Sequence, residues 1–313
     1  MINLRKVGLT ALAGSLAAVS ANAGEISVSG AANLTYKTGS GNISQSLGMD
    51  RDVKFSGSGE LDNGYTVSFH TTMKDDFTVS SSATVIGMGS MGSVGLAYGG
   101  GTNVNGAYDE TYPRAYEENS DAGGQSTANY VGNFADDNAI VYQAPSMEIA
   151  GLTLSGGIEY SLQASGDSTA VDGGTIANSN TWGDGYGIGL TADTGMGLTV
   201  GGYYATRENK NQHAVAHVND ETNMSGFVNY SMGPVSIGYQ QFYVDSGLAG
   251  SSTTDATNVV KTVGSSSGQF DGDAVSIAFN INDDLSISYA EVEETHDSRM
   301  AATNTDVTQE SES

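Results

Sequence analysis

Apolar and polar residues alternate over most of this chain, and this period of two constrains the fold more than any other feature. In the segment 152–162, apolar residues such as Leu152, Leu154 and Ile158 alternate with hydroxyl, glycine and carboxylate residues. Side chains that repeat every second residue lie on one face of a β-strand, whereas a helix repeats every 3.6 residues. Similar segments of about 8–11 residues recur along the chain, so we predict an all-β protein.

The connections between these segments alternate between short turns and long polar loops. The short turns are rich in Gly, Asn and Asp, which supply the backbone conformations of tight hairpins, and they cover 61–64, 88–92, 193–197, 232–234 and 282–284. The long loops cover 38–48, 99–136, 163–183, 206–222, 245–271 and 293–309. This alternation is typical of a transmembrane antiparallel up-and-down β-barrel, and it leaves about thirteen strands in the chain.

The first 23 residues have the organisation of a secretory signal peptide. Arg5 and Lys6 form a basic start, a short apolar stretch covers 7–19, and 21–23 reads Ala-Asn-Ala, the small-x-small pattern of a cleavage site. We therefore expect cleavage after Ala23 and a mature barrel domain over 24–313, exported to an extracytoplasmic compartment. The apolar stretch is too short to span a bilayer as a helix.

The composition excludes several classes of partner. Loss of the signal leaves 9 of the 11 basic residues against 36 acidic ones, a net charge of −27, which argues against binding to nucleic acid. The chain contains no cysteine, so neither disulfides nor thiolate metal sites are available. After the signal no apolar run approaches 18 residues, and a chain without such a run can cross a membrane only as a closed barrel.

The two sets of alternating residues favour a barrel that is apolar outside and polar inside. The apolar residues are too small to fill the interior of so wide a sheet, whereas the opposite set of Ser, Thr, Asn, Glu and Gly suits a water-filled lumen. Tyrosines also concentrate near the predicted strand ends, for example Tyr36, Tyr65 and Tyr204, where aromatic rings lie at a membrane interface.

Three segments resemble the general Gram-negative porin family, and its alphaproteobacterial members in particular. They are DVKFSGSGELDNGY at 52–65, MGSVGLAYG at 91–99 and NAIVYQAP at 138–145. The resemblance implies a sixteen-stranded homotrimeric barrel in the outer membrane, surrounded by lipid and lipopolysaccharide and inserted by the outer-membrane assembly machinery. Family members end in a strand with a terminal aromatic residue, whereas this sequence ends in Ser311-Glu312-Ser313, so we expect about three C-terminal strands to be missing.

The same resemblance implies a constriction formed by the loop 99–136. In the family this loop folds inward, and its acidic residues face basic residues on the opposing wall. Carried over to this chain, the acidic side consists of Asp109, Glu110, Glu117 and Glu118, and the basic wall of Arg51, Lys54 and Lys74. We expect passive diffusion of small hydrophilic solutes and ions, with a preference for cations because carboxylates predominate.

Other readings of the same residues remain open. The acidic residues outside this loop are better explained as solvated residues of outer loops that keep the surface charged, or that bind divalent ions bridging lipopolysaccharide. The alternative function is a secreted soluble β-rich surface protein or adhesin whose acidic loops bind calcium. His213 and His217 lie four residues apart, but without a helix or a third ligand they do not indicate a metal site. We predict no catalytic residues, no metal and no cofactor, and therefore not an enzyme.

Overall fold

A computed structural model describes the chain over 25–37, 46–74, 77–98, 102–115, 139–162, 182–210, 219–247, 268–297 and 307–312. The predicted signal segment and much of the long loops lie outside these residues. Two short 3₁₀ turns cover Gly89–Met91 and Asn105–Ala107. No helix in this part of the chain is long and apolar enough to cross a membrane.

Fifteen strands account for most of the described chain. They are β1 (Glu25–Lys37), β2 (Ser46–Glu60), β3 (Thr66–Met73), β4 (Val79–Gly87), β5 (Ser93–Tyr98), β6 (Ala139–Gln143), β7 (Met147–Ile149), β8 (Leu152–Ser161), β9 (Trp182–Asp193), β10 (Leu198–Asn209), β11 (Glu221–Met232), β12 (Val235–Asp245), β13 (Gln269–Asn282), β14 (Leu285–Asp297) and β15 (Val307–Glu312).

These strands form one antiparallel sheet in which sequence neighbours pair in chain order. The short strand β7 pairs only with β8, which also pairs with β6. β6 and β7 are therefore two parts of one interrupted strand, and the interruption contains Pro145, which has no N–H group to donate to the sheet. The predicted all-β, up-and-down architecture is confirmed. Among the described residues β1 and β15 do not pair with each other, so the sheet has two edges.

The sheet path contains fourteen strands, one more than the alternation predicted. β15 lies partly in the segment taken for a loop at 293–309, and β14 also continues to Asp297. The residues of β14 after Val292 and those of β15 after Val307 are polar on both faces. The alternation of apolar residues therefore stops at Val292, although main-chain pairing continues. Hydrogen bonds between backbone groups do not depend on the polarity of the side chains.

The short turns close as their sequences predicted. In the turn after β2, the Leu61 amide donates to the Tyr65 carbonyl over 2.7 Å, and Gly64 has φ 81°. Gly233, in the turn between β11 and β12, has φ 59°. A residue with a Cβ is strained at such positive φ values, so glycine at these positions is required by the turn.

The two faces of the sheet differ in the way that the alternation predicted. Large apolar side chains on one face are exposed, for example Phe69 at 46%, Ile188 at 52% and Ile287 at 61%. Polar residues on the opposite face of the same sheet include Glu159 and Gln240, which are fully buried. We call the first the outer face and the second the channel face. The arrangement is inverted relative to a soluble protein, in which the apolar face is the buried one.

Candidate functional site

The polar residues of the channel face are covered by the segment 102–115, which follows β5. We call these residues the inward segment. Its N-terminal part contacts β8, its middle contacts β9 to β12, and Ala115 reaches β14, where its amide donates to the Ser288 hydroxyl over 2.8 Å. The segment therefore runs across the channel face from β8 to β14, over seven neighbouring strands. The sequence predicted this inward fold from the family resemblance.

The N-terminal part of the inward segment is held by the carboxylate of Glu159 on β8. Oε2 accepts a hydrogen bond from the Val104 amide over 2.5 Å and one from the Asn105 amide over 3.4 Å. Oε1 accepts a hydrogen bond from the hydroxyl of Tyr203 on β10. These two amides lie where the Asn105–Ala107 turn begins, so the carboxylate fixes the point at which the segment changes direction.

The middle of the inward segment is fixed by the ring of Tyr108. The ring stacks on Tyr203 with centroids 5.6 Å apart and lies 6.3 Å from Phe227. Thr191 donates a hydrogen bond to the Tyr108 hydroxyl over 3.2 Å. Burial raises the pKa of the Tyr108 hydroxyl, with the Thr191 hydrogen bond opposing part of that rise, so the phenol remains neutral at physiological pH.

Glycines on the channel face of β9 make room for this ring. The inward positions 183, 185, 187 and 189 are all glycine and all buried. A Cβ on Gly189 would overlap the Tyr108 ring, and a Cβ on Gly187 would lie 2.7 Å from both Glu159 Oε1 and the Tyr203 hydroxyl oxygen. The run of glycines therefore lets the inward segment approach the backbone of β9 directly.

The side chain of Gln240 on β12 connects the segment to two strands at once. Its Nε2 donates to the Tyr108 carbonyl over 3.0 Å and to the Ser225 hydroxyl over 2.8 Å. Its Oε1 accepts from the Thr111 amide over 2.6 Å and from the Thr111 hydroxyl over 3.1 Å. A glutamine has two donors and two acceptor positions, so this buried amide is fully satisfied.

The C-terminal part of the inward segment packs against β12 and β13. Pro113 lies against Gly238, where a Cβ would overlap the proline ring. Tyr112 is 1% exposed and packs in a cluster with Phe242, Val244 and Phe270. Arg114 donates a hydrogen bond to the Glu110 carbonyl, and its guanidinium lies 5.9 Å from the centre of the Tyr112 ring.

The predicted acidic residues occupy different environments. Asp109 is half-buried in the inward segment, whereas the neighbouring Glu110 is only 8% exposed and has a φ of 36°, which is unusual for a residue other than glycine. Burial on this scale leaves Glu110 little contact with water. Glu117 and Glu118 lie outside the described residues.

The predicted basic residues do not all lie on the channel face. Lys54 pairs with Thr72 and is exposed on the channel face, and Lys74 directly follows β3. Arg51 pairs with Ala32 and shares the outer face with Met49 and Val53. The register of β2 therefore places Arg51 on the opposite face from Lys54, and the structure does not bring it to the predicted wall.

Sequence reasoning did not single out Glu159 and Gln240. It grouped Glu159 with the polar residues that were expected to be wetted, whereas the structure buries both side chains beneath the inward segment. The available signal was that each lies on the polar side of an alternating strand. A second feature that the sequence did not reveal is the ion pair between Arg207 and Glu221. The side-chain amide of Asn223 also donates to Glu221 Oε1, over 3.0 Å.

Within the described ranges no three His, Asp or Glu side chains are grouped so that they could bind a metal ion. His213 and His217 lie outside these ranges. The exposed acidic residue Glu148 on β7 accepts a hydrogen bond from the hydroxyl of Thr153, its paired neighbour on β8, over 2.6 Å.

Comparison with known proteins agrees with this geometry. The sequence model of the family described as Gram-negative porin matches residues 8–309. The structure is similar to that of Salmonella typhi OmpF in complex with daunomycin, with a TM-score of 0.60 at 14% identity, over 92% of this chain and 84% of that chain. It also matches OmpT of Vibrio cholerae at 10% identity, over 94% of this chain and 96% of that chain, but with a TM-score of only 0.37.

No curated protein sequence is significantly similar to the chain. The OmpF likeness, at so low an identity, supports the fold alone. The family match covers nearly the whole chain and includes every strand of the sheet except the last residues of β15. An antiparallel sheet with an apolar outer face, a polar channel face and an inward segment is the architecture of an outer-membrane channel. The chain therefore belongs to the Gram-negative porin family.

Proposed function

We propose that this protein forms a water-filled outer-membrane channel through which small hydrophilic solutes and ions diffuse passively, with a preference for cations. The observation that supports this proposal is the position of the inward segment against the polar face of the sheet. A segment held there narrows the space beside the polar face of the strands. Solutes are then selected by diameter at this level, and no covalent bond is made or broken.

The preference for cations is proposed on electrostatic grounds. The chain carries a net charge of −25, and carboxylates in a narrow pore raise the local concentration of cations and repel anions. On the acidic side we propose Asp109, Glu117 and Glu118, with a smaller contribution from the buried Glu110. On the basic side we propose Lys54 and Lys74, while Arg51 is omitted because its strand register places it on the outer face.

The remaining parts of the proposal concern export and assembly. We propose that the signal peptide is cleaved after Ala23, that the outer-membrane assembly machinery inserts the barrel, and that the protein functions as a homotrimer. The exposed apolar side chains of the outer face suit contact with lipid and lipopolysaccharide, or with a neighbouring protomer. The acidic residues outside the inward segment keep the external loops charged and hydrated.

The experiment that tests the proposal is a reversal-potential measurement in planar lipid bilayers. The protein should produce stepwise conductance. The reversal potential measured across a gradient of dilute salt solutions should correspond to a cation-to-anion permeability ratio above one. Changing Glu117 and Glu118 together to Gln should lower that ratio. Screening over about 8–10 Å should reduce the difference between the variants in concentrated salt.

The matched control changes Asp283 and Asp284 together to Asn. This pair is also adjacent and acidic but is exposed in the short turn between β13 and β14, away from the inward segment. Its permeability ratio should equal that of the wild type. An equal fall in both double variants would assign the selectivity to overall charge, and the absence of conductance steps would refute the channel itself.

A further inference from the structure

The most deeply buried acidic side chain among the described residues is that of Glu159. It is 1% exposed, and the hydrogen bonds that it accepts from described residues come from the Val104 amide, the Asn105 amide and the Tyr203 hydroxyl. None of these three donors carries a positive charge. A buried carboxylate is costly unless hydrogen bonds replace its water, and here two backbone amides and a phenol do so.

Both amides belong to the inward segment, whereas the carboxylate and the phenol belong to the barrel wall. Val104 and Asn105 are consecutive, so their N–H groups converge on one oxygen, as in the small anion-binding concavities formed by successive backbone amides. The Tyr203 hydroxyl completes the site from β10. Glu159 thus acts as a bound anion that is covalently attached to β8.

Resting on the function proposed above, we infer that Glu159 is the positioning residue of the constriction, and that it acts by occupying an anion site formed by the inward segment and Tyr203. This role differs from ordinary packing in one measurable respect. If the side chain is removed, the amides and the phenol remain, and a small carboxylate from solution can bind in its place. The glycine at position 187, on the neighbouring strand, leaves space for that anion beside the Tyr203 hydroxyl.

The test is single-channel recording of the full-length protein in planar bilayers, comparing wild type with Glu159→Ala and Glu159→Gln. Losing a hydrogen-bonded buried charge shifts a local equilibrium by roughly tenfold or more, so the alanine variant should show about ten times as many brief current transitions. The glutamine variant keeps the shape and one acceptor oxygen, so its transition frequency should lie between those of wild type and the alanine variant.

Chemical rescue separates the anion site from packing. Replacing sodium chloride in the bath by sodium formate at the same ionic strength should reduce the transitions of Glu159→Ala and leave wild type unchanged. The matched control is Glu148→Ala, because Glu148 is an exposed glutamate that contacts Thr153 and not the inward segment. Its transitions should match those of wild type in either salt.

Each result decides the matter. Recordings of Glu159→Ala that match wild type would overturn the positioning role, and increased transitions that formate does not reduce would overturn the anion site. If the alanine variant does not fold, Tyr203→Phe removes one of the three donors from a residue of nearly the same shape and should also raise the transition frequency. A wild-type protein without conductance would refute the proposed channel, which is a different outcome from any of these.

Discussion

Gln240 provides the sharpest test of how the inward segment is held. In Gln240→Leu the side chain keeps a similar volume but loses both its donors and its acceptor. The Tyr108 carbonyl still accepts from the Ser225 hydroxyl over 3.0 Å, whereas the Thr111 amide loses Gln240 Oε1, its one acceptor among the described residues. One buried amide left without a partner costs about 1–3 kcal/mol.

This cost translates into exchange kinetics. A loss of about 2 kcal/mol corresponds to a factor of roughly 30 in the population of the detached segment, because each 1.4 kcal/mol is tenfold. Hydrogen–deuterium exchange of the peptide containing residues 102–115, followed by mass spectrometry, should therefore be about 30 times faster for the Thr111 amide in the variant. Strand amides of β12 should keep their protection.

The neighbouring residue supplies the control. Gln241→Leu changes the same residue type one position along β12, but Gln241 is exposed on the outer face and does not contact the inward segment. Exchange in residues 102–115 should be unchanged in that variant. Equal exchange rates in wild type and Gln240→Leu would refute the reasoning, because they would mean that the hydrogen bonds to Gln240 do not hold the segment.

Three further predictions follow from the two faces of the sheet. Gly189→Ala should displace the ring that packs there and change single-channel conductance, whereas Gly202→Ala, whose new Cβ meets nothing closer than 3.6 Å, should not. Ile188→Lys puts a charge on the outer face and should lower the free energy of unfolding by about 2–4 kcal/mol, measured by urea titration of the protein in lipid vesicles. Thr153→Lys, on the channel face, should lower it much less. Lys54→Gln should raise the cation-to-anion permeability ratio measured from reversal potentials, and an unchanged ratio would remove this side chain from the proposed wall.

The alternation of the sequence was sufficient to predict the sheet but not all of its strands. In β8 the apolar residues lie at even positions and the polar ones at odd positions, and the structure places them on opposite faces as predicted. β15 was missed because every residue after Val307 is polar, so its pattern does not show the alternation that distinguishes a strand from a loop. Arg51 was assigned to the wall by its proximity to a loop, although its odd separation from Lys54 already places the two residues on opposite faces of a strand.

The contacts that hold the inward segment could not have been predicted in the same way. Whether Glu159 faces water or accepts hydrogen bonds depends on where residues 104 and 105 come to lie, and no local pattern specifies that. The resemblance to a family supplied the direction of the loop but not its partners. The sequence analysis counted glycine among the residues that suit a water-filled lumen, whereas the structure places the Tyr108 ring directly against Gly189 of β9.

The distances along the chain between the inward segment and its partners have a consequence for biogenesis. Thr111 is 129 residues from Gln240, and Ala115 is 173 residues from Ser288, so these contacts cannot form until β12 and β14 have joined the sheet. Contacts between residues so far apart in sequence are slow to form, because a long stretch of chain must be ordered first. In the proposed channel, the inward segment would therefore settle on the wall only after these strands have paired, so the strands would pair around an unobstructed interior.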